Sequence, residues 1–331
     1  MGVVSVIIPV YNAENSIEKT IDSIICQSFT DWELILVNDG STDNSLEILR
    51  KFAESDSRIK VFHQENKGPS EARNFGIQQV NTPYLSFVDA DDTIRKDYLE
   101  KLLKPVIENN SIELVCSGYY EINSKYPKGL PLHDFDYLKN TKKLISKDEF
   151  IENLFQGLTG VLWSKLFKTE IILQHIIVMP SDLKFSEDLI FIVRYAQYIS
   201  KVALVFDHMY FYNRLTEEGL TRKLNEDSIL QIKRFNEIIS EQEMFNSAAL
   251  RKKLDKRTSK LLLKLLKDQS FSVKNLKYYY RLIAQNFDNL VLKNSKSKRD
   301  QLFLLLLNKK FYGFASMQIK VLNYLRNLKN A

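Results

Sequence analysis

The sequence predicts an α/β fold, a mainly parallel doubly wound sheet followed by a helical C-terminal region, and three observations carry that expectation. Apolar strand patterns and amphipathic helix patterns alternate through the first 118 residues, as parallel crossovers require. Polar residues collect just after the strands, where open α/β sheets bind their ligands. From residue 225 onward the strand signal stops and 22 Lys and Arg face 9 Asp and Glu, a balance of +13 that leaves −7 for residues 1–224. The boundary is placed there, giving a first domain over 1–224, itself in two halves over 1–118 and 119–224, and a basic helical region over 225–331.

Taken in order, Val3, Val4, Val6, Ile7 and Ile8 form a buried-strand pattern stopped by Pro9, and Ile17, Ile21, Ile24 and Ile25 recur at helical spacing over residues 13–27. Residues 33–38 repeat the strand, Asp39, Gly40 and Ser41 make the turn, and 43–55 follow as a helix with a polar, capping start. A strand over 58–63, a helix over 69–80, a strand over 84–88, a helix over 96–109 and a strand over 112–118 continue the alternation. Tyr11 and Asn12, Asp39, Lys67 and Asp89 follow strands one to four. Each is ordinary turn chemistry alone; four positions converging on one rim point to a ligand.

The most charged part of that rim is the stretch where an apolar strand over 84–88 runs into Asp89, Asp91 and Asp92. Carboxylates so close repel one another unless a cation or hydrogen-bond donors sit between them, and oxygen-only ligands suit Mg²⁺ or Mn²⁺. The competing reading is that Asp91 and Asp92 cap the helix beginning near Lys96. Strand one is followed by Pro9-Val10-Tyr11-Asn12-Ala13, without the glycines of a dinucleotide fingerprint or a P-loop, so a diphosphate bound there would need a metal. That argues against a sugar nucleotidyltransferase, and paired Asp after strand four, not strand one, argues against a dehalogenase-type phosphatase.

Composition bounds the setting. A chain of 331 residues that is 44% hydrophobic can bury a large core and support a second domain. Cys26 and Cys116 each lie in an apolar stretch and read as buried thiols in a reducing compartment, which makes the cytosol the default. The N-terminus enters a strand with no signal-peptide pattern, and no apolar run approaches the roughly 20 residues of a membrane span.

Four segments now stand together: Val6-Ile7-Ile8-Pro9-Val10-Tyr11-Asn12, Val37-Asn38-Asp39-Gly40-Ser41-Thr42-Asp43, Asn66-Lys67-Gly68-Pro69-Ser70-Glu71-Ala72-Arg73-Asn74-Phe75-Gly76 and Phe87-Val88-Asp89-Ala90-Asp91-Asp92. In this order they closely resemble the motifs of glycosyltransferase family 2, over roughly residues 3–221. The resemblance implies a GT-A fold, inversion at the anomeric carbon, a nucleotide-sugar donor and a divalent cation, Mn²⁺ or Mg²⁺. It makes 1–118 the nucleotide-binding half and 119–224 the acceptor half. Pro9 and Tyr11 resemble the wall on which the base packs, and Asp39 the carboxylate that accepts the uracil N–H, which favours UDP. Arg73 resembles the residue approaching base and diphosphate, Asp89 the ribose-side carboxylate and Asp91 the metal ligand; Asn12 and Lys67 join the nucleotide-binding set.

The acceptor half carries two further likenesses. Trp163 and Lys165, in Trp163-Ser164-Lys165-Leu166-Phe167, resemble a segment lying near donor sugar and acceptor, although a large aromatic such as Trp163 equally suits the core. Glu187 and Asp188, after Ser186, are what a capped first helical turn favours in any case. By resemblance, Asp188 is the general base on the acceptor hydroxyl and Glu187 orients the acceptor. Further on the pattern departs from the family: Asn213 stands where Arg is usual, Arg214 is shifted by one and Gly219 replaces Ser. That leaves His208, Arg214 and Arg222 as the candidates for diphosphate contacts.

Beyond residue 225, Lys253, Lys256, Arg257, Lys260, Lys264 and Lys267 fall on one arc of a helix, with Leu254, Leu261, Leu262 and Leu265 on the other side. Two readings stay open: a helix lying on an anionic membrane surface, or a bundle packed on the catalytic domain or on a second copy as a homo-oligomer. No nucleic-acid-binding fold is found there. The expected protein is a cytoplasmic hexosyltransferase moving a sugar from a UDP-sugar to a lipid-linked or protein-linked glycan acceptor, its tail either peripheral at the inner face of the plasma membrane or packed on protein. The rival is a non-catalytic nucleotide- or glycan-binding scaffold docked through its basic tail.

Overall fold

The computed structural model describes residues 2–154, 160–215, 225–268, 272–287 and 297–330, the last with side chains to residue 322. The chain divides into two compact units, Met1–Gly219 and Leu220–Ala331.

The first unit is built on a ten-stranded sheet. β1 (Val4–Val10), β2 (Trp32–Asp39), β3 (Ile59–Gln64) and β4 (Tyr84–Phe87) are parallel, in the order β3-β2-β1-β4. Crossovers run through α1 (Ile17–Ile25), α2 (Ser45–Ser55) and α3 (Pro69–Gln78). Every residue of β2 is buried, as expected of a strand covered on both faces. Val4, Val6, Ile8 and Val10 of β1 join a core shared with Ile17, Ile21 and Ile24 of α1 and Leu99, Leu102 and Leu103 of α4 (Tyr98–Glu108). Ile7 points to the opposite face, against α3. There Gly76 lets helix and strand meet, because a Cβ on it would lie 2.6 Å from Ile7 Cγ2.

Beyond β4 the sheet reverses once and then continues. β9 (Lys165–Lys168) lies antiparallel between β4 and β6 (Leu114–Ile122), and β10 (Lys201–Asn213) runs parallel to β6. The short strands β5 (Thr93–Ile94), β7 (Leu130–Leu132) and β8 (Leu144–Ser146) pair antiparallel with β10, β6 and β10. β10 is kept continuous through register shifts between Val205 and Tyr210. α5 (Lys147–Glu152), α6 (Thr169–Gln174) and α7 (Glu187–Ala196) complete the unit. Phe87, Phe167 and Phe191 pack edge to face at 5.7–5.9 Å, fixing α7 over the junction of β4 and β9.

The second unit is helical: α8 (Glu226–Ser240), α9 (Ala248–Asp268), α10 (Val273–Asn286), α11 (Lys298–Asn308) and α12 (Tyr312–Asn330). Asn225, Ser272 and Ser297 each cap the helix that follows, their side chains accepting from a backbone N–H three residues on. The apolar side of α9 is turned inward: Leu254, Leu262 and Leu265 are buried, and the helix packs on α8 and α10. Arg257 lies 4.3 Å over the Phe235 ring, burial lowering its pKa to about 10. For α9 itself the bundle is the arrangement adopted.

One compositional expectation is corrected. Cys116 is buried in β6, but Cys26 follows the last turn of α1 and is exposed; both are free thiols. The apolar stretch around Cys26 is the buried stripe of an amphipathic helix, and residue 26 falls off that stripe.

Candidate active site

The carboxyl ends of β1, β2 and β4 meet the start of α7, and the residues there form one connected group. At the β1 end, Asn12 adopts left-handed backbone (φ 48°) and is exposed. Its Oδ1 accepts from Thr42 N (2.8 Å) and its own N–H donates to Ser41 Oγ (3.1 Å), joining the first loop to the second. Pro9 is half-buried and Tyr11 is exposed beside it, leaving an aromatic face open to solvent. Asp39, buried at the end of β2, accepts from the backbone N–H groups of Lys67 and Gly68 (2.8 Å each) and from Gln64 Nε2 (2.7 Å). Asp39 thereby sets the turn into α3, where Gly68 is left-handed (φ 89°) and Pro69 opens the helix. The Lys67 side chain is exposed.

Arg73 is the centre of the group. It is buried on α3, with Nη2 2.7 Å from Asp89 Oδ1 and Nη1 3.4 Å from Asp188 Oδ1 and 3.7 Å from Glu187 Oε1. One guanidinium thus ties the β4 rim to the first turn of α7. Burial works against its charge, but Asp188, Asp89 and Glu187 outweigh that and raise its pKa above the usual arginine value. Asp188 moves the other way. Desolvation lifts it to about 7, against the pull of Arg73 and with the push of Glu187 and Asp89. A carboxylate near 7 is matched to take a proton at neutral pH. Ser186 is left-handed (φ 67°) and its side chain does not cap α7, while Glu187 and Asp188 both lie in the first turn of that helix, where its dipole favours carboxylates.

The three acidic residues after β4 divide. Asp89 belongs to Arg73, and its N–H donates to the Tyr210 hydroxyl (3.1 Å). Asp91 is exposed on the rim, and its carboxylate accepts from its own backbone N–H. Desolvation first and the Asp89 charge second raise its pKa to about 6. Asp92 is 1% exposed and accepts from Tyr210 Oη (2.5 Å) and from the Asn213 backbone N–H (2.7 Å). It is not the helix cap that its position suggested, because the strand β5 intervenes and α4 begins only at Tyr98, after Asp97. Its partners lie about 120 residues away in sequence, which is why spacing alone could not find them; Tyr210 is the functional-site residue that sequence reasoning missed.

Behind this group is a small cavity lined by Cys116, Ser117, His133, Asp134, Trp163 and Lys165, among others. Lys165 is 3% exposed, and its positive charge lowers Asp188 and Cys116. Burial pushes the Cys116 thiol up to about 12 and His133 down to about 4, so both are neutral at pH 7. Trp163 stacks on Tyr210 at 4.6 Å and meets Tyr119 edge-on at 5.1 Å, a buried residue of the aromatic core. His208 packs on Tyr120 (5.5 Å), with Asp136 and Lys139 as its main charged neighbours, a different group from the rim carboxylates. Arg214 is exposed and 3.1 Å from Glu121. Arg222 lies outside the described residues.

The donor set fits a hard divalent cation at Asp91: an oxygen ligand at the rim whose ionisation is opposed by a second carboxylate. Among the described residues no group of three or more His, Cys, Asp or Glu is arranged to hold a metal. A cation there would draw its remaining ligands from phosphate and water.

A mixed sheet, parallel through β3-β2-β1-β4, brings Asp89 at its rim and the Glu187–Asp188 pair onto one arginine, and the fold is of the GT-A glycosyltransferase type. Residues 5–163 match the family described as Glycosyl transferase family 2, and the chain carries a domain of that family. The uncharacterized glycosyltransferase EpsJ of Bacillus subtilis is 33% identical over 222 residues, 65% of this chain and 63% of EpsJ. The chain therefore spans less than two thirds of that relative. In fold, residues 1–349 of S. aureus TarS match with a TM-score of 0.67 at 20% identity, covering 98% of this chain and 92% of that one. TarS has also been solved in complex with UDP-GlcNAc and with UDP. The mannosyltransferase PcManGT of Pyrobaculum calidifontis, solved with GDP-Man and Mn²⁺, matches at 0.53 and 15% identity over 98% of this chain and 87% of that one.

Proposed function

We propose that the chain is an inverting glycosyltransferase that moves a sugar from a UDP-sugar to a hydroxyl of a glycan acceptor, lipid-linked or protein-linked, in one displacement. The observation that carries this is Arg73, which holds Asp89 and Asp188 on one guanidinium and so fixes a nucleotide-side carboxylate against a base poised near pH 7. The base stacks on Tyr11 and Pro9, with Asn12 and Lys67 at its edges, and the backbone turn held by Asp39 shapes the uracil site. Asp89 takes the ribose. Asp188 removes the proton of the acceptor hydroxyl as its oxygen attacks the anomeric carbon, and Glu187 orients that hydroxyl. A divalent cation bound through Asp91, Mn²⁺ or Mg²⁺, supplies charge neutralisation for the departing diphosphate.

The UDP and UDP-GlcNAc complexes of TarS support UDP as the carrier, and the Mn²⁺ of PcManGT supports the cation. Lys165 reaches the cavity behind the base, where its ammonium offers donors to the hydroxyl or acyl oxygens of the donor sugar. Arg214, His208 and Arg222 remain the candidates for the diphosphate. The free thiols fit a cytoplasmic enzyme. The test is turnover of a panel of UDP-sugars with Mn²⁺ by the parent chain and by Asp188→Asn. Release of UDP by the parent and its loss in the variant are expected. A parent that binds UDP but never turns over would show the non-catalytic scaffold instead.

A further inference from the structure

The hairpin of α11 and α12 is apolar on two sides. Inward, Phe303, Leu307, Ala315 and Ile319 are buried. Outward, Leu302 and Leu305 share one face of α11, and Phe314, Met317 and Val321, at i, i+3 and i+7, share one face of α12. Phe314 is 68% and Met317 62% exposed, well beyond an isolated surface leucine. A helix that only packs in a bundle needs one apolar stripe; the second has a different use.

Charge says what meets it. Residues 297–331 hold seven Lys and Arg and a single carboxylate, Asp300. Lys267 already lies 2.5 Å from that carboxylate. The exposed Lys298 at the start of α11 and Lys309 just after its end continue the stripe of Leu302 and Leu305 at helical spacing, and Lys310 is exposed in the turn that joins the two helices. A second copy of the chain would bring the same positive surface and repel this one. An anionic bilayer offers hydrocarbon for the apolar stripe and headgroup charge for the lysines that border it.

We infer that the outward face of the α11–α12 hairpin docks the protein on an anionic lipid surface. The apolar side of α9 does not serve, because Leu254, Leu262 and Leu265 are buried and Leu261 is half-buried. The inference concerns the second unit alone and goes beyond the catalytic reading: an inactive chain that still binds vesicles would sink the first and leave this one standing.

The experiment is flotation of the full chain with phosphatidylcholine vesicles, with and without phosphatidylglycerol. Two double variants accompany it, Phe314→Ser with Met317→Ser, and Lys309→Glu with Lys310→Glu. These side chains are exposed, so circular dichroism of both variants should match the parent. Binding is expected only with phosphatidylglycerol, and each variant should weaken it at least about tenfold, with UDP-sugar turnover in solution unchanged. Equal binding to both vesicles, no binding by the parent, or full binding by either variant overturns the inference. So does a parent dimer that the Phe314 and Met317 variant converts to monomer, which would make a second copy the occupant.

Discussion

Replacing Arg73 by Gln should move the acid limb of the pH–rate profile upward. In the native site Asp188 sits near 7, and the first force holding it there against desolvation is the guanidinium 3.4 Å away. Removing a positive neighbour favours the protonated acid, so the pKa rises and the base is lost to protons at neutral pH. At that distance an effective dielectric of about 20 gives roughly 5 kcal/mol between unit charges. Water entering the vacated space screens most of it, and Lys165, which also lowers Asp188, remains. A net effect of about 1–2 kcal/mol corresponds to a rise of roughly one pH unit. The assay is UDP release from a saturating UDP-sugar between pH 5.5 and 9. Because Glu187 and Asp89 lose a shared partner, the Gln variant also unfolds more easily; Arg73→Lys keeps the charge without the fork. Its limb should stay near 7 while its rate falls. An unmoved limb in the Gln variant, or the same movement in both, refutes the electrostatic account of Asp188.

Asp91→Asn should abolish the gain in UDP affinity that Mn²⁺ gives the parent while leaving metal-free binding within about twofold; titration calorimetry with and without the cation separates the two. Lys165→Met should raise the KM for the UDP-sugar by on the order of tenfold or more, since a charged donor is lost from a buried polar site, and leave the affinity for UDP unchanged. Tyr210→Phe removes the hydroxyl that donates to Asp92 and accepts from Asp89 N–H. Leaving buried partners unsatisfied costs about 1–3 kcal/mol. Thermal denaturation should show a fall of several degrees, and an unchanged midpoint would remove the structural role given to Asp92.

The alternating strands and helices from β1 to β4 were legible because both-face burial and helical periodicity are local signals. Ile7 and Ile8, or Ile17 and Ile21, declare their environment within a few residues. The strand Lys165–Lys168 was not, since four residues with a lysine at each end carry no readable period, and only insertion between two existing strands makes them extended. β5 is two residues long, below any pattern. Asp92 looked like a cap because carboxylates before helices usually are, and its tyrosine partner belongs to a strand more than a hundred residues later. The fold places Asp39, Arg73, Asp89 and Asp188, all readable as motif residues, close to one another or to their shared loops. The links among them, through one guanidinium and a backbone turn, are visible only in three dimensions.

The reversed strand β9 also governs the order in which the molecule can be made. When residues 1–122 have been synthesised, β3-β2-β1-β4 can already pair, but β6 has no neighbour among them, and both β4 and β6 keep an open edge. Unpaired edges of that kind invite pairing with other chains. The sheet closes only when Lys165–Lys168 threads between them, so the nascent first half waits on a segment some forty residues further along. Truncation before residue 165 should therefore yield an aggregating fragment, whereas a fragment that includes β9 and β10 has the strands it needs to seal both edges.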